Sequence, residues 1–421
     1  MVARRLSAVD AQMYWMAAKI HSDQFLLYGF AGPVPDVGAV VRELRTRAGL
    51  CADLRLRISD RNPMTYPRWV SADVSASQFV VHDAGARWSE CLAAVAGLDD
   101  DQLDPRAMAW RLHVFPDVDE MPGAGRGTVA VMQVVHALAD GVRASALAAW
   151  LFGRAVPVPA VDPPRRLQAL AMPVRGYRAA RTHRQLVRDT EAGLVPGPAE
   201  SCPVLQCNSR PEGRRSLRTV VLQRSQVPGP TVTVGVLAAM STALTGHLRA
   251  AGEDPSQLGA EVPMAKAGKR FSHNHFGNVG VKLYPDLPFA ERADRIAADL
   301  ERRRQRAAHP AMVAADRAFA ATPAPLLRWG VGLFGPARRS STVTGNTVVS
   351  SVNRGPADLH FGGAPVVLTA GYPSLSPMMG LTHGVHGIGD TIAVSVHAAE
   401  SAIGDIDAYT ERLAHALNRP S

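Results

Sequence analysis

Cysteine is scarce. Cys51, Cys91, Cys202 and Cys207 are the only four in 421 residues, and no two of them form a CxxC pair. That spacing indicates neither a zinc site nor a thioredoxin-like redox motif. Cys202 and Cys207 are near enough in sequence to oxidise, but free thiols in a reducing compartment are the expectation. Aromatic residues are also few, at 6 %. A nucleic-acid reader combines basic patches with stacking aromatics or a recognisable module. The sequence offers neither, so no nucleic-acid partner is expected. Long apolar runs are missing as well. Residues 1–7 hold two arginines and no apolar signal core. The apolar stretch 142–161 is broken by Arg143, Arg154, Pro157 and Pro159, too interrupted to span a bilayer. The chain therefore reads as cytoplasmic, at most peripheral to a membrane.

The net charge is +9. A basic balance draws in an anionic surface or a phosphate-bearing substrate alike. Hydrophobic residues make up 47 % of the 421, enough for two sizeable cores in two domains. Residues 1–155 alternate helix and strand signals. Ser7 followed by Asp10 opens a helix reaching residue 20. Strands are expected at 25–30, 54–58, 79–82, 110–115 and 128–135, and helices at 37–47 behind Asp36, 88–98 and 142–152. The run 128–135 is nearly unbroken and apolar, as a central buried strand requires. Residues 156–213 are rich in proline and arginine and read as an interdomain linker with one helix, 174–190. Residues 214–421 resume the pattern. Strands are expected at 216–222, 279–284, 347–352, 366–370 and 391–397, and helices at 234–251, 289–308 and 406–417 behind Asp405. The result is an α/β chain of two similar halves, and ligand sites often lie where domains meet.

His136 follows the apolar strand 128–135 directly, in the segment His136-Ala137-Leu138-Ala139-Asp140-Gly141, with a helix behind it. A strand end is a rigid platform that can aim an imidazole into a cleft. Transfer of a group to an alcohol needs a base near neutral pKa within hydrogen-bond reach of the hydroxyl, and histidine meets that demand with little tuning. Asp140 is better suited to hold the loop by pairing with an arginine. Gly141 permits a tight turn and leaves room where substrate passes. As a bare string HxxxDG is weak, and a structural histidine is the ordinary reading. Its place near the end of the first of two similar halves raises it.

With this segment the sequence resembles the wax ester synthase/diacylglycerol acyltransferase (WS/DGAT) family, within the chloramphenicol-acetyltransferase-like HxxxDG superfamily. Leu6-Ser7-Ala8-Val9-Asp10 resembles the family's Leu-Ser-x-x-Asp opening. Leu103-Asp104-Pro105-Arg106 through Met108-Ala109-Trp110 resembles a segment that usually ends Pro-Leu-Trp. Phe276-Gly277-Asn278, followed by Leu287-Pro288, is similar to its Gly-Asn and Leu-Pro segment, and Ser350-Ser351-Val352-Asn353-Arg354-Gly355-Pro356 to its Ser-Asn-Val-Pro-Gly-Pro turn. Val135 stands where the family has the first of two histidines, and Thr233-Val234 where it has Asn-Asp. The resemblance implies two chloramphenicol-acetyltransferase-like domains in a pseudo-symmetric pair with a tunnel between them. Acyl-CoA would enter from one side and a long-chain alcohol or diacylglycerol from the other. It implies His136, Asp140 and Gly141 as catalytic residues, with His136 the base. Asn278, Ser350 and Ser351 would be substrate-binding. No cofactor is implied beyond acyl-CoA as co-substrate, and contact with a membrane or lipid-droplet surface is compatible. A carrier-protein thioester, a glycolipid acceptor or a non-catalytic lipid-binding role are the rival readings.

His273, His275, His383 and His386 invite a metal reading, since two histidines one residue apart can share a strand face. No nearby carboxylate or thiolate completes a set, so no metal is expected. These histidines read instead as solvated or loop-anchoring. Asn278, Ser350, Ser351 and backbone amides are candidate oxyanion donors, and the sequence does not select among them. Arg178, Arg181, Arg184 and Arg188 recur at helical spacing and should line one solvated or lipid-facing surface.

Overall fold

The β-branched run before His136 becomes the middle of a sheet. In the computed structural model, which describes residues 4–164 and 168–418, strand Gly125–Val134 pairs antiparallel with Gln24–Ala31 on one side and Trp110–Met121 on the other. Its alternate residues enter two different cores: Ala130, Met132 and Val134 on one face, Val129 and Val131 on the other. Burial on both faces is why the run is continuous rather than alternating. Residues 1–3, part of the stretch read for a signal core, and 165–167, part of the proposed linker, lie outside the described residues.

Among the described residues there are two six-stranded sheets. The first runs in the order His360–Phe361, Ala364–Tyr372, Gln24–Ala31, Gly125–Val134, Trp110–Met121, Phe79–Val81. The second runs Phe276–Lys282, Gly259–Ala265, Thr347–Asn353, Leu381–Ile388, Thr391–Ala399, Arg215–Gln223. The expected pair of similar α/β halves is thus present. The strand expected at 366–370 does not join the later sheet, however: Ala364–Tyr372 pairs with Gln24–Ala31 and completes the earlier one. The chain then returns through Leu381–Ile388. The two sheets touch where a Cβ on Gly384 would lie 2.1 Å from the carbonyl oxygen of Gly371, so only glycine fits there.

Several helices start where the sequence places a cap. The Ser7 hydroxyl accepts from the Asp10 amide and opens Ala8–Ala17, Asp36 opens Val37–Leu50, and Thr231 opens Val232–Ala250. Strands Gly259–Ala265 and Leu381–Ile388 had no clear signal, because Pro263 and the glycines and histidines of the second obscure the apolar pattern. This corrects the reading of His383 and His386: both are buried in Leu381–Ile388, every residue of which is buried. His383 bonds Thr347 Oγ1 through Nδ1 and Tyr409 Oη through Nε2, each at 2.8 Å. Burial draws its pKa down to about 3, so the ring is a neutral core group.

Candidate active site

His136 sits just past strand Gly125–Val134, in the turn closed by the bond from Leu138 N to Val135 O, and is half-buried. Its Nδ1 lies 2.9 Å from Asn274 Oδ1. The ring of Phe276 stacks over it with centroids 5.8 Å apart. Burial lowers its pKa, opposed by hydrogen bonds to its own backbone and to Asn274 and by the charge of Asp140. Both Asn274 and Phe276 come from the second half of the chain, 138 residues beyond His136 in the case of Asn274.

Segment 270–276 is held against His136 by two buried carboxylates. Asp10, on helix Ala8–Ala17, accepts from the backbone amides of His273 and Asn274, both at 3.0 Å, from Asn274 Nδ2 at 3.1 Å and from the Ser7 hydroxyl at 2.8 Å. Asp140 accepts from Arg270 at 2.7 Å and from the His275 amide at 2.9 Å, while its Oδ1 caps helix Gly141–Leu151 through the Arg143 amide at 2.9 Å. One aspartate of the HxxxDG segment therefore starts the helix behind His136 and fastens a loop from the other half. Gly141 faces strand Thr347–Asn353, and a Cβ there would stand 3.2 Å from a Val352 methyl.

The other expected site residues lie on two strands near this point. On Thr347–Asn353 successive side chains alternate. Ser351 bonds Thr233 on helix Val232–Ala250 at 2.8 Å, on the face that also buries Val349. Ser350 shares the opposite face with Val352, the face toward Gly141. The two serines thus point apart, and Ser350 is the one turned toward the HxxxDG segment. Asn278 is on strand Phe276–Lys282, not in a turn, and is exposed. It shares a face with Phe276, about 7 Å along the strand, and its Nδ2 donates to Glu261 Oε1 at 2.5 Å.

His273 and His275 do lie outside regular structure, but His273 is buried rather than solvated: its ring stacks on Trp69 and its Nδ1 bonds Leu138 O at 2.8 Å. Among the described residues no group of three or more His, Cys, Asp and Glu is arranged to hold a metal. Two surface clefts, of about 530 Å³ beside Arg42, Arg45 and Arg55 and about 360 Å³ beside Lys282, Arg302 and Arg303, do not border His136. Asn274, Asp10 and Arg270 were not singled out as site residues from sequence. Asp10 appeared only within an opening motif, and Asn274 only as the residue between two histidines. Contacts spanning 264 residues leave no local signal.

Residues 273–419, beginning at the loop that meets His136, match the family model of the WS/DGAT C-terminal domain. The whole fold is similar to that of the wax ester synthase/diacylglycerol acyltransferase from Marinobacter aquaeolei VT8, with a TM-score of 0.65, 19 % identity and 98 % of each chain covered. It is also similar to the first condensation domain of the CDA synthetase, at TM-score 0.58 and 17 % identity over 100 % of this chain and 97 % of that one. A variant of the starter condensation domain of rhizomide synthetase, solved with C8-CoA and Leu-SNAC, has TM-score 0.56 and 16 % identity over 99 % of this chain and 94 % of that one. No curated protein matches the chain in sequence. Residues 273–419 thus match the WS/DGAT C-terminal domain, on a chain whose whole fold is shared end to end with that of a WS/DGAT enzyme.

Proposed function

We propose that this protein is an acyl-CoA-dependent O-acyltransferase that esterifies a long-chain alcohol or a diacylglycerol, with His136 as general base. The observation that carries the reading is the imidazole itself. It stands at a strand end of the first half, anchored through Nδ1 to Asn274 and stacked by Phe276, both from the second half of the chain. The hydroxyl of the acceptor gives its proton to His136 Nε2 as the oxygen attacks the thioester carbonyl. The tetrahedral oxyanion collapses and expels the coenzyme A thiolate, a good leaving group because a thiol pKa is near ~8.5. His136 then returns the proton. Acyl-CoA and alcohol reach the base from opposite sides, between a domain of residues 1–155 and one of 214–421. Ser350 and Asn278 contact substrate. The name of the Marinobacter relative supports both acceptor types.

The test is release of coenzyme A, followed with a thiol reagent, over a panel of acyl-CoAs and alcohols. An apolar channel gains roughly 0.8 kcal/mol for each methylene it buries, so KM falls with alcohol length and then levels. A KM flat with length, or a preference for a hydrophilic acceptor, removes the lipid-alcohol assignment and leaves acyl transfer standing. No release with any pair, but binding of acyl-CoA, favours the non-catalytic reading. Transfer only from a carrier-protein thioester favours that donor instead.

A lipid surface is where such an acceptor would be met. Among the described residues no helix is long and apolar enough to cross a membrane. Helix Met172–Glu191 leaves Arg178, Arg181, Arg184 and Arg188 exposed along with Val174 and Tyr177, and helix Ala324–Gly332 and the residues after it expose Leu326, Trp329, Leu333 and Phe334. Cations beside exposed apolar side chains suit the interface of an anionic bilayer. The protein should sediment with phosphatidylglycerol vesicles and not with phosphatidylcholine vesicles, and Trp329→Ser should weaken the association. Equal recovery with both lipids, or none with either, counts against the proposal.

A further inference from the structure

We propose that Asn274, held in orientation by Asp10, is the positioning residue that keeps His136 protonated on Nδ1 and so leaves Nε2 as the basic atom. The inference deepens the reading of His136 as general base and rests on it for its kinetic part only.

Hydrogen-bond chemistry fixes the sense of each contact. A side-chain amide has a nitrogen that only donates and an oxygen that only accepts. Asn274 Nδ2 lies 2.7 Å from the carbonyl oxygen of His136 and 3.1 Å from Asp10 Oδ1. A backbone carbonyl cannot donate, so that end of the amide must be the nitrogen. The other end, 2.9 Å from His136 Nδ1, is therefore the oxygen. An oxygen facing Nδ1 requires a proton on Nδ1, and a neutral imidazole carries only one. Nε2 is left with its lone pair, which is the state a base needs. Burial acts in the same direction, since it lowers the pKa of His136 and keeps the ring neutral.

Asn274 is itself pinned. It is 3 % exposed, its backbone amide donates to Asp10 Oδ1 at 3.0 Å, and the neighbouring His273 amide donates to Asp10 Oδ2 at 3.0 Å. Asp10 is 2 % exposed and sits in the first turn of helix Ala8–Ala17. Flipping the amide would set an oxygen against both the His136 carbonyl and the Asp10 carboxylate, two acceptors meeting a third. The bonds of Asp10 thus reach the base through one residue, and both halves of the chain are needed to set the tautomer.

The tautomer is read directly by two-bond 15N–1H correlation of histidine-labelled full-length protein, with the His136 signals assigned by their loss in His136→Gln. The expected spectrum shows Nδ1 protonated and Nε2 unprotonated near pH 7.5. Asn274→Ala keeps the backbone bonds to Asp10, so the melting temperature should hold. Its two ring nitrogens should shift toward a mixed tautomer, and kcat should fall tenfold or more with KM for acyl-CoA changed less than twofold. A wild-type ring protonated on Nε2 overturns the proposal, as does Asn274→Ala with unchanged ring shifts and kcat. A variant that loses activity together with its melting temperature, while the tautomer stays intact, also overturns it. If Asn274→Ala does not fold, the wild-type spectrum decides alone. The spectra need no substrate, so a protein that transfers no acyl group fails the functional reading without touching this one.

Discussion

Replacing His136 with alanine lowers kcat/KM for acyl transfer by about 10²–10⁴-fold, the range a general base contributes, and leaves the melting temperature nearly unchanged. The ring is half-buried and its side-chain partner is Asn274, which keeps its own bonds to Asp10 and to the His136 backbone when the ring is gone. The loss is therefore chemical. The pH profile adds a sign. A base works only unprotonated, and burial depresses the His136 pKa below the ordinary 6.5, against the pull of the Asn274 contact and of Asp140. Arg270, paired with Asp140, mutes that negative charge. The acidic limb of kcat/KM should accordingly fall below pH 6.5 and vanish in His136→Ala. Full turnover in the purified variant would assign the base elsewhere. An acidic limb above pH 7 would mean that the ring is stabilised as a cation, contrary to its surroundings.

The HxxxDG segment was legible because every signal for it is local. An apolar strand, a histidine at its end and an Asp-Gly opening the next helix occupy one short stretch, and the structure keeps that order as Gly125–Val134, His136 and Gly141–Leu151. The parts that escaped are those made by distant pairing. Ser350 and Ser351 looked equivalent as neighbours in one motif, yet alternation along Thr347–Asn353 turns one toward Gly141 and the other into a bond with Thr233. His383 and His386 looked like loop residues because their surroundings are rich in glycine. Gly384 is there for a close crossing of the two sheets at Gly371, not for a turn. Asn274 read as the spacer in a histidine pair, since nothing near it foretells that Asp10 and His136 close around its amide. The strand expected at 366–370 is there, but its place beside Gln24–Ala31 was not foreseen, because a strand's partners are not written in its own residues.

Asp140→Asn should destabilise the protein by about 3 kcal/mol, as breaking a buried ion pair from one side does, and should lower activity as a consequence. The asparagine side chain still caps Gly141–Leu151, because Asn is as good an N-cap as Asp. What it loses is charge. Arg270, with its side chain 13 % exposed against an aspartate 5 % exposed, is left without its carboxylate, and the His275 amide loses an ionised acceptor. Segment 270–276 then slackens, and with it Asn274 and Phe276, the two residues that frame the His136 ring. Thermal melting and kinetics should therefore fall together. The double variant Asp140→Asn/Arg270→Met removes the orphaned cation as well, and should recover much of the melting temperature but little of kcat, since the loop remains untied from the helix start. This split separates an anchoring aspartate from a reacting one. A single variant with an unchanged melting temperature and lost activity would place Asp140 in the chemistry itself. A double variant no more stable than the single one would show that the Arg270 pair is not what holds the loop.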